Sequence, residues 1–535
     1  MLRSSLCAVV LGLLAASHAD VQAQTAQLTG TVYNDSNGNQ RRDASERGIA
    51  GIKVSNGREL ATSDAQGRYR LPARDGSTVF VIKPPGYSTA TGANGLPLFW
   101  HHVFPAGSPK LRYGGIAATT AGELDFPLRR LAGGDLKRSG GDLKMLVFGD
   151  PQPKSLIDVD YYERDIVQPL VGKHDVRLGL SLGDIVNDDI SLYPAMNRVT
   201  SQLGVPWMHV PGNHDLDFDA GRDEDALLSF RNVFGPDSYA WEEPQASFIV
   251  LDDVVYLPGQ QPAYIGGLRE DQFAFLQAYL ATLSKDRRVV ISVHIPFFEP
   301  YPGVESFRRV DRDRLFAMLK DHSQVLLLSA HTHNQRHYRH DASTGWHGAQ
   351  PLHEYNVGAT CGAFWSGVKD AQGIPDTTMS DGTPNGYAWL TFKPDGQYSL
   401  RYQVARAPAD RAMALYAPKV LRLGAWAANG VYANVFMGDA DSRVEYRIDE
   451  GAWKPMRRVS QPDPTLVAEN LADDSAERLR GYDRSPEAVP STHLWRGVLP
   501  TDVGAGEHRI QVRVFDRWRG ELTSETRYRL DQAKE

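Results

Sequence analysis

Between Leu143 and Phe392, five apolar strand-like runs each end in residues able to hold a metal ion, and this ordered series constrains the chain more than any other feature. Lys144-Met-Leu-Val-Phe148 runs into Gly149-Asp150-Pro-Gln152. Val176–Ser181 runs into Gly183-Asp184-Ile-Val-Asn187. Pro206–Val210 runs into Gly212-Asn213-His214-Asp215. Arg288–Val293 delivers His294, and Gln324–Leu328 delivers Ala330-His331-Thr-His333. Amphipathic helical patterns, such as Arg269–Leu283 and Asp311–Lys320, alternate with these runs, which is the signature of an α/β domain. In open α/β sheets ligands gather beyond the carboxyl ends of the strands, so the five ends can meet in one crevice. Carboxylate, imidazole and amide donors suit borderline first-row metals, and no thiolate is offered among them. In extended backbone, His331 and His333 point to the same side.

This ordered set resembles the calcineurin-like metallophosphoesterases, whose pattern is Asp-x-His, Gly-Asp-x-x, Gly-Asn-His-Asp/Glu, a lone His and Gly-His-x-His. The resemblance covers Leu143 to Phe392. The sequences Gly358–Gly367 and Pro384–Ala388 look like a bacterial branch with an N-terminal β module and a distinct C-terminal domain. The fold it implies is α/β (α+β): a central sandwich of two β-sheets flanked by helices, with an all-β domain on each side. It implies hydrolysis of a phosphate ester, mono- or diester, by hydroxide held between two divalent ions (Mn, Fe or Zn). Asp150, Asp184 and His333 would hold one ion, with Gln152 contributing directly or through water. Asp184, Asn213, His294 and His331 would hold the other, with Asp184 as the bridge. His214 would stabilise or protonate the leaving oxygen, with Asp215 fixing its tautomer and keeping it cationic.

Three departures stand out. Gln152 occupies a position where most members have a metal-binding His, and an amide oxygen is the weaker ligand. Ala330 replaces the Gly before His-x-His. Asn187 stands where purple acid phosphatases carry a tyrosine, which disfavours that subclass. His337, His340 and His347 read as exposed loop residues rather than ligands. Family members often place a substrate cap after the third motif, here Leu216–Gln261 with Arg222, Asp223, Glu224 and Tyr239. Phe364 and Trp365 are candidates for an aromatic substrate wall, and Arg269, Arg308 and Arg309 are candidate phosphate ligands.

The flanks read differently. From residue 24 to 130, short β-branched runs alternate with Gly, Asn, Asp and Pro turns, as in a small sandwich. Asp35, Asn37, Asn39, Asp43 and Glu46 fall at positions 1, 3, 5, 9 and 12 of a twelve-residue loop, with Gln40 at the sixth position, normally Gly. These are candidate calcium ligands, and the segment resembles the B-type repeats of bacterial surface adhesins. Residues 131–142 have linker composition. The central domain spans 143–395, and polar–apolar alternation over 400–535 argues a second sandwich, with Asp463–Pro490 as a long loop.

The 535 residues carry 58 Lys+Arg against 65 Asp+Glu, a formal charge of −7 with no long basic block, which disfavours a nucleic-acid surface. Residues 1–23 combine Arg3, the apolar run Leu6–Ala16 and the ending Val21-Gln22-Ala23, the pattern of a cleavable secretory signal. That apolar run is about eleven residues, too short to span a bilayer, and no later run is long enough. Cleavage removes Cys7 and leaves Cys361 alone, so no internal disulfide is expected in a periplasmic or secreted chain. The expected substrate is a small-molecule phosphate ester, of a lipid, sugar or nucleotide, or a phosphoprotein. The competing reading is an envelope binding or scaffold protein whose hydrolase centre is weakened at Gln152.

Overall fold

The computed structural model describes residues 26–120, 122–301, 303–478 and 480–533, so residues 1–23, expected to be a secretory signal, and Cys7 within them lie outside the described residues. The central domain pairs two sheets. The first has the order Trp207–Val210, Leu178–Leu182, Leu143–Phe148, Gly386–Phe392, Tyr398–Val404. Its first three strands are parallel, with Val147 opposite Leu180 and Leu182 opposite Val210. The second runs Tyr239–Glu242, Ser247–Val250, Val289–Ser292, Val325–Ser329, Leu352–Asn356, Arg336–His340, and its four inner strands are parallel. Parallel strands buried on both faces need continuous apolar runs, and Val289, Val290, Ile291, Leu326, Leu327 and Leu328 are fully buried. The helices Glu270–Leu280 and Arg309–Leu319 fall on the two amphipathic patterns of the sequence. A bridge between Gly149 and Ala359 links the end of the Leu143–Phe148 strand to the segment following Leu352–Asn356.

On the N-terminal side, a five-stranded sheet holds Gln27–Asn34 between Arg68–Pro72 and Phe126–Arg130, and a four-stranded sheet packs as its partner. The C-terminal side likewise has a four- and a five-stranded sheet, the latter containing the long hairpin Gly506–Asp516/Gly520–Asp531. Two segments are more ordered than their composition suggested. The Gly-rich linker contains the helix Gly133–Gly140. The Asp463–Pro490 loop contains the helix Pro464–Asp474, because Asp463 caps it through Thr465 N–H at 2.8 Å and Pro464 supplies the preset φ of a first helical residue.

One apolar core runs from Val32, Val79 and Phe126 of the module into Leu146 and Leu180 of the central domain, whereas the C-terminal sandwich has its own. Arg231, on the helix Leu228–Phe234, fastens the module joint. Its guanidinium donates to the Gly76 carbonyl at 2.9 Å and to Thr78 Oγ1 at 2.7 Å. The stretch read as a substrate cap is therefore largely a docking segment. Tyr239 is buried in a strand with its hydroxyl on the His209 carbonyl, and Arg222 is paired with Asp225. Replacing Arg231 by Met takes its donor from the Gly76 carbonyl, while Thr78 Oγ1 keeps His102 Nδ1 at 2.9 Å, and should cost about 2 kcal/mol in urea unfolding.

Burial drives the pKa of both His102 and His209 down to about 3, with Arg231 adding to the effect at His102. Between pH 6.5 and about 3 the unfolded chain binds protons that the native rings refuse, so stability falls as pH falls through that window. Thermal midpoints measured in EDTA should drop from pH 6.5 to pH 4, and His102→Gln should make the drop shallower.

Candidate metal centre

The strand ends meet. His294 Nε2 lies 3.0 Å from Asn213 Oδ1, 3.3 Å from Asp184 Oδ2 and 3.2 Å from His331 Nδ1. His333 Nε2 lies 3.6 Å from Asp150 Oδ1, and Gln152 reaches Asp184 Oδ2 at 3.3 Å. All of the proposed metal residues, Asp150, Gln152, Asp184, Asn213, His294, His331 and His333, thus belong to one connected cluster. Asp184, His294 and His331 form a group whose ligand atoms all lie within 4.8 Å of one another.

Five of these residues have left-handed backbone: Asp150 at φ 41°, Gln152 at 42°, Asp184 at 49°, His331 at 68° and His333 at 48°. Such conformations are costly for residues with a Cβ and persist where neighbours over-determine them. Here the neighbours are identifiable. The backbone N–H of His214 donates to Asp184 Oδ1 at 2.8 Å, that of His331 to Asp150 at 3.2 Å, and that of Gln152 to the Asp184 carbonyl at 3.0 Å. The His333 turn is held by the Gln335 N–H on Asp381 Oδ2 at 2.9 Å, and Asp381 also receives His493 of the C-terminal sandwich at 3.0 Å.

The imidazoles are oriented for coordination. His294 Nδ1 faces the Leu182 carbonyl at 2.7 Å and His333 Nδ1 faces the Gly362 carbonyl at 2.7 Å. A carbonyl only accepts, so these contacts place the proton on Nδ1 and leave Nε2 as the lone-pair donor. His294 Nε2 then faces two oxygens and a second imidazole nitrogen, all acceptors or ligand atoms, which repel one another unless a proton or a cation sits among them. The donor set fits a bound metal cation on that ground.

The ionisation equilibria carry the same mark. Burial works against the His294 cation, yet Asp184 and Asp150 push its pKa up to about 10. Asp184 is buried too, but His294 and His214 hold its carboxyl below the usual range. Burial raises Asp150 to about 8 and lowers His331 to about 3 and His333 to about 4.

Several side chains differ from the sequence reading. Asp215 does not touch the His214 ring. It is fully buried and accepts from the Gly212 and Ile185 N–H groups and from Tyr193 Oη at 2.9 Å, bracing the turn from behind. The carboxylate on His214 Nδ1 is Asp188, at 2.7 Å. Gln152 turns its amide nitrogen to Asp184 and its oxygen towards Cys361 Sγ at 3.8 Å, so it supports the carboxylate as a donor. Trp365 is only 4% exposed, with Nε1 on the Pro151 carbonyl at 2.9 Å, whereas Phe364 is 41% exposed and lies over His333 with ring centroids 4.5 Å apart. Of the pair, Phe364 alone can face a substrate.

Arg269 is enclosed by Asp252, Asp237 and Asp223, and Arg309 pairs with Glu299 at 2.6 Å, so neither is free to hold phosphate. His337 and His340 sit in the strand Arg336–His340, against His353 at 3.0 Å and Glu354 at 2.7 Å, and only His347 is an exposed loop residue. Sequence reasoning also missed Asp253, which accepts from the His294 and Ile295 N–H groups at 3.0 Å, because an Asp-Asp pair after an apolar strand carries no motif.

In the N-terminal loop the Asp35 and Glu46 carboxylates are committed to backbone N–H groups, and Asp43 accepts from the side-chain amides of Asn37 and Asn39. Asp35 accepts from Gly38, Asn39 and Gln40, and Glu46 from Ser36 and Asp43. Gln40 adopts φ 61°, the left-handed turn that a glycine would otherwise supply, so the loop closes on its own hydrogen bonds.

Comparison with known proteins follows this geometry. Residues 143–335 match the model of the calcineurin-like phosphoesterase, residues 36–112 that of the N terminal of calcineurin-like phosphoesterase, and residues 354–521 that of its C terminal. Among solved structures the chain is similar to a dimetal phosphatase from Danio rerio, at 16% identity over 49% of this chain and 95% of that one, TM-score 0.32. It is also similar to the purple acid phosphatase PPD1 from yellow lupin (Lupinus luteus) seeds, at 11% identity over 66% and 67% of the two chains, TM-score 0.37. No curated protein sequence matches the chain.

Gly183 has φ 89°, and a Cβ there would stand 2.5 Å from His294 Nδ1 and 2.9 Å from Gly212 Cα. Gly183→Ala should therefore displace His294 and strip the protein of metal. Elemental analysis after gel filtration should show at least a tenfold loss, with the far-ultraviolet circular dichroism retained.

Proposed function

The chain belongs to the calcineurin-like phosphoesterase family, whose members hydrolyse phosphate esters with bound metal, and from that premise we propose that it is an exported enzyme cleaving a mono- or diester at the Asp184 centre. The observation that carries this reading is the convergence of His294 Nε2 with Asn213, Asp184 and His331, a donor set able to hold a cation at one point. Asp150, Asp184 and His333 would hold one ion, and Asp184, Asn213, His294 and His331 the other, the ions being manganese, iron or zinc. Bound there, two divalent ions acidify water and draw charge from the phosphoryl oxygens.

The chain's own residues complete the chemistry. His214 is half-exposed at the rim, free to approach an ester oxygen. Burial disfavours its cation, but Asp184 and Asp188 more than offset this and raise its pKa. With Asp188 accepting from Nδ1–H, the proton available to the leaving oxygen sits on Nε2. Phe364 offers an exposed ring for the organic part of the ester, and the Lys154 ammonium lies 5.2 Å from that ring's centroid, poised for an anionic oxygen. Gln152 and the backbone N–H groups on Asp150 and Asp184 keep the two carboxylates in place.

Export rests on the N-terminal signal pattern. Among the described residues no helix is long and apolar enough to cross a membrane. Sequencing of the processed protein should begin at Gln24, and an intact Met1 on protein from the cell envelope would remove this part of the reading.

The purified chain should hydrolyse 4-nitrophenyl phosphate or bis(4-nitrophenyl) phosphate when Mn²⁺, Fe²⁺ or Zn²⁺ is supplied. A metal-free preparation inactive across that panel would instead favour the envelope scaffold. Asp188→Asn should lower kcat by about 10²-fold, the scale of lost acid catalysis, and move the alkaline limb of the pH–rate profile to lower pH. Phe364→Ala should raise KM for aryl esters several-fold with kcat little changed, and unchanged kinetics on every ester would exclude its contact with substrate.

A further inference from the structure

A cavity of about 500 Å³ opens in the seam between the N-terminal module and the central domain. Leu143, Leu178 and Met208 line it at or near the amino ends of the strands whose other ends deliver Asp150, Asp184 and Asn213. It therefore lies at the pole opposite the metal centre, separated from it by the length of a strand, roughly 20 Å for seven extended residues. Val81 and Phe99 of the module and Trp241 of the central domain add further apolar wall. The volume falls within the range of sites that enclose small molecules.

Three cations border this space, and they are not equivalent. Lys83 is fully engaged, with Nζ on Glu243 at 2.9 Å and on the Glu242 carbonyl at 2.9 Å. Arg138 is exposed on the helix Gly133–Gly140. Arg177 is half-buried, and its Nε and Nη2 are shut away from solvent without an acceptor among the described residues. Burial, aided by Arg138 and opposed by Glu243, lowers its pKa. Of the two acids in the lining, Glu243 is already paired with Lys83, and Asp135 is exposed on the helix Gly133–Gly140 and makes no ion pair with Arg177. The indole N–H of Trp241, in the same lining, also lacks an acceptor. An apolar cavity whose wall holds a guanidinium with no ion pair among the described residues is complementary to a ligand that brings an anionic group to it.

We propose that this cavity binds an amphiphile with an apolar body and a single anionic head, the head set against Arg177 and the body against the apolar walls, a medium-chain carboxylate being the simplest member. The site is separate from the phosphoesterase centre and needs no metal. Because its walls come from both domains, an occupant also ties the module to the central domain.

The test is calorimetric titration of the full mature chain with dodecanoate, dodecan-1-ol and dodecyltrimethylammonium below their micelle thresholds. Dodecanoate should bind at one site per chain, at least tenfold more tightly than the alcohol, and the cation should give no saturable heat. Arg177→Met should weaken dodecanoate at least tenfold while leaving the alcohol unchanged, and Arg177→Lys should recover part of the loss. The ligand-free Arg177→Met chain should melt no lower than the parent, since the lost guanidinium had no partner. Asp184→Asn should bind dodecanoate as the parent does, which separates this site from the metal centre. Absence of saturable dodecanoate binding, equal affinity of parent and Arg177→Met for dodecanoate, or several weak sites per chain would each overturn the proposal.

Discussion

The centre depends on backbone that the ligand residues would not adopt alone. Asp150, Asp184, His331 and His333 sit just past the ends of parallel strands, where the chain must reverse sharply to keep each side chain over the crevice. Left-handed φ at such positions is worth of order 1–3 kcal/mol each in strain. The compensation is mutual: the Asp184 carboxylate fixes the His214 N–H, the Asp150 carboxylate fixes the His331 N–H, and the Asp150 carbonyl fixes the Cys361 N–H at 3.0 Å. Each ligand therefore helps hold the turn that presents another. The bridge between Gly149 and Ala359 makes the two sheets one support for that arrangement.

This interdependence explains which parts of the site could be read in the sequence. The seven residues of the cluster were legible because each follows an apolar run at a motif position, and strand ends converge by the rules of α/β sheets. Asp188 was not, since it lies four residues beyond Asp184 in a turn whose direction follows from tertiary packing. Asp215 was misread for the complementary reason. Adjacent to His214, it points the opposite way, into Gly212, Ile185 and Tyr193. The difference between Phe364 and Trp365 is of the same kind, since two consecutive left-handed residues, φ 56° and 57°, send neighbouring rings to opposite environments. The helix at Pro464 was legible in principle, because Asp463-Pro464 is a helix-start signal within a stretch otherwise composed like a loop.

The flanking domains take part in the centre rather than simply accompanying it. Asp381 receives the Gln335 N–H, two residues after His333, and His493 of the C-terminal sandwich in the same carboxylate. From the other side, Tyr113 of the module donates to the Asp188 carbonyl at 3.2 Å, next to the carboxylate that orients His214. The loop that carries His331 and His333 and the turn that carries His214 are thus each buttressed by a different neighbour.

The replacement of a ligand histidine by Gln152 is intelligible in this setting. A histidine would add a second imidazole to the Asp150 and His333 side of the cluster, and that side is where burial already raises Asp150 to about 8. An amide carries no charge in either state and offers a donor as well as an acceptor. Gln152 uses the donor on Asp184 and turns its oxygen to Cys361, whose thiol burial holds protonated and hence able to donate. Asp184 keeps a hydrogen bond that an ion-bound imidazole at position 152 could not supply, and under the proposed two-ion assignment the cost would fall on the affinity of the ion held by Asp150 and His333. Under that assignment the two positions would differ in how tightly they hold their ions, the one at His294 and His331 being the tighter because it commits two imidazoles and an amide oxygen to one point.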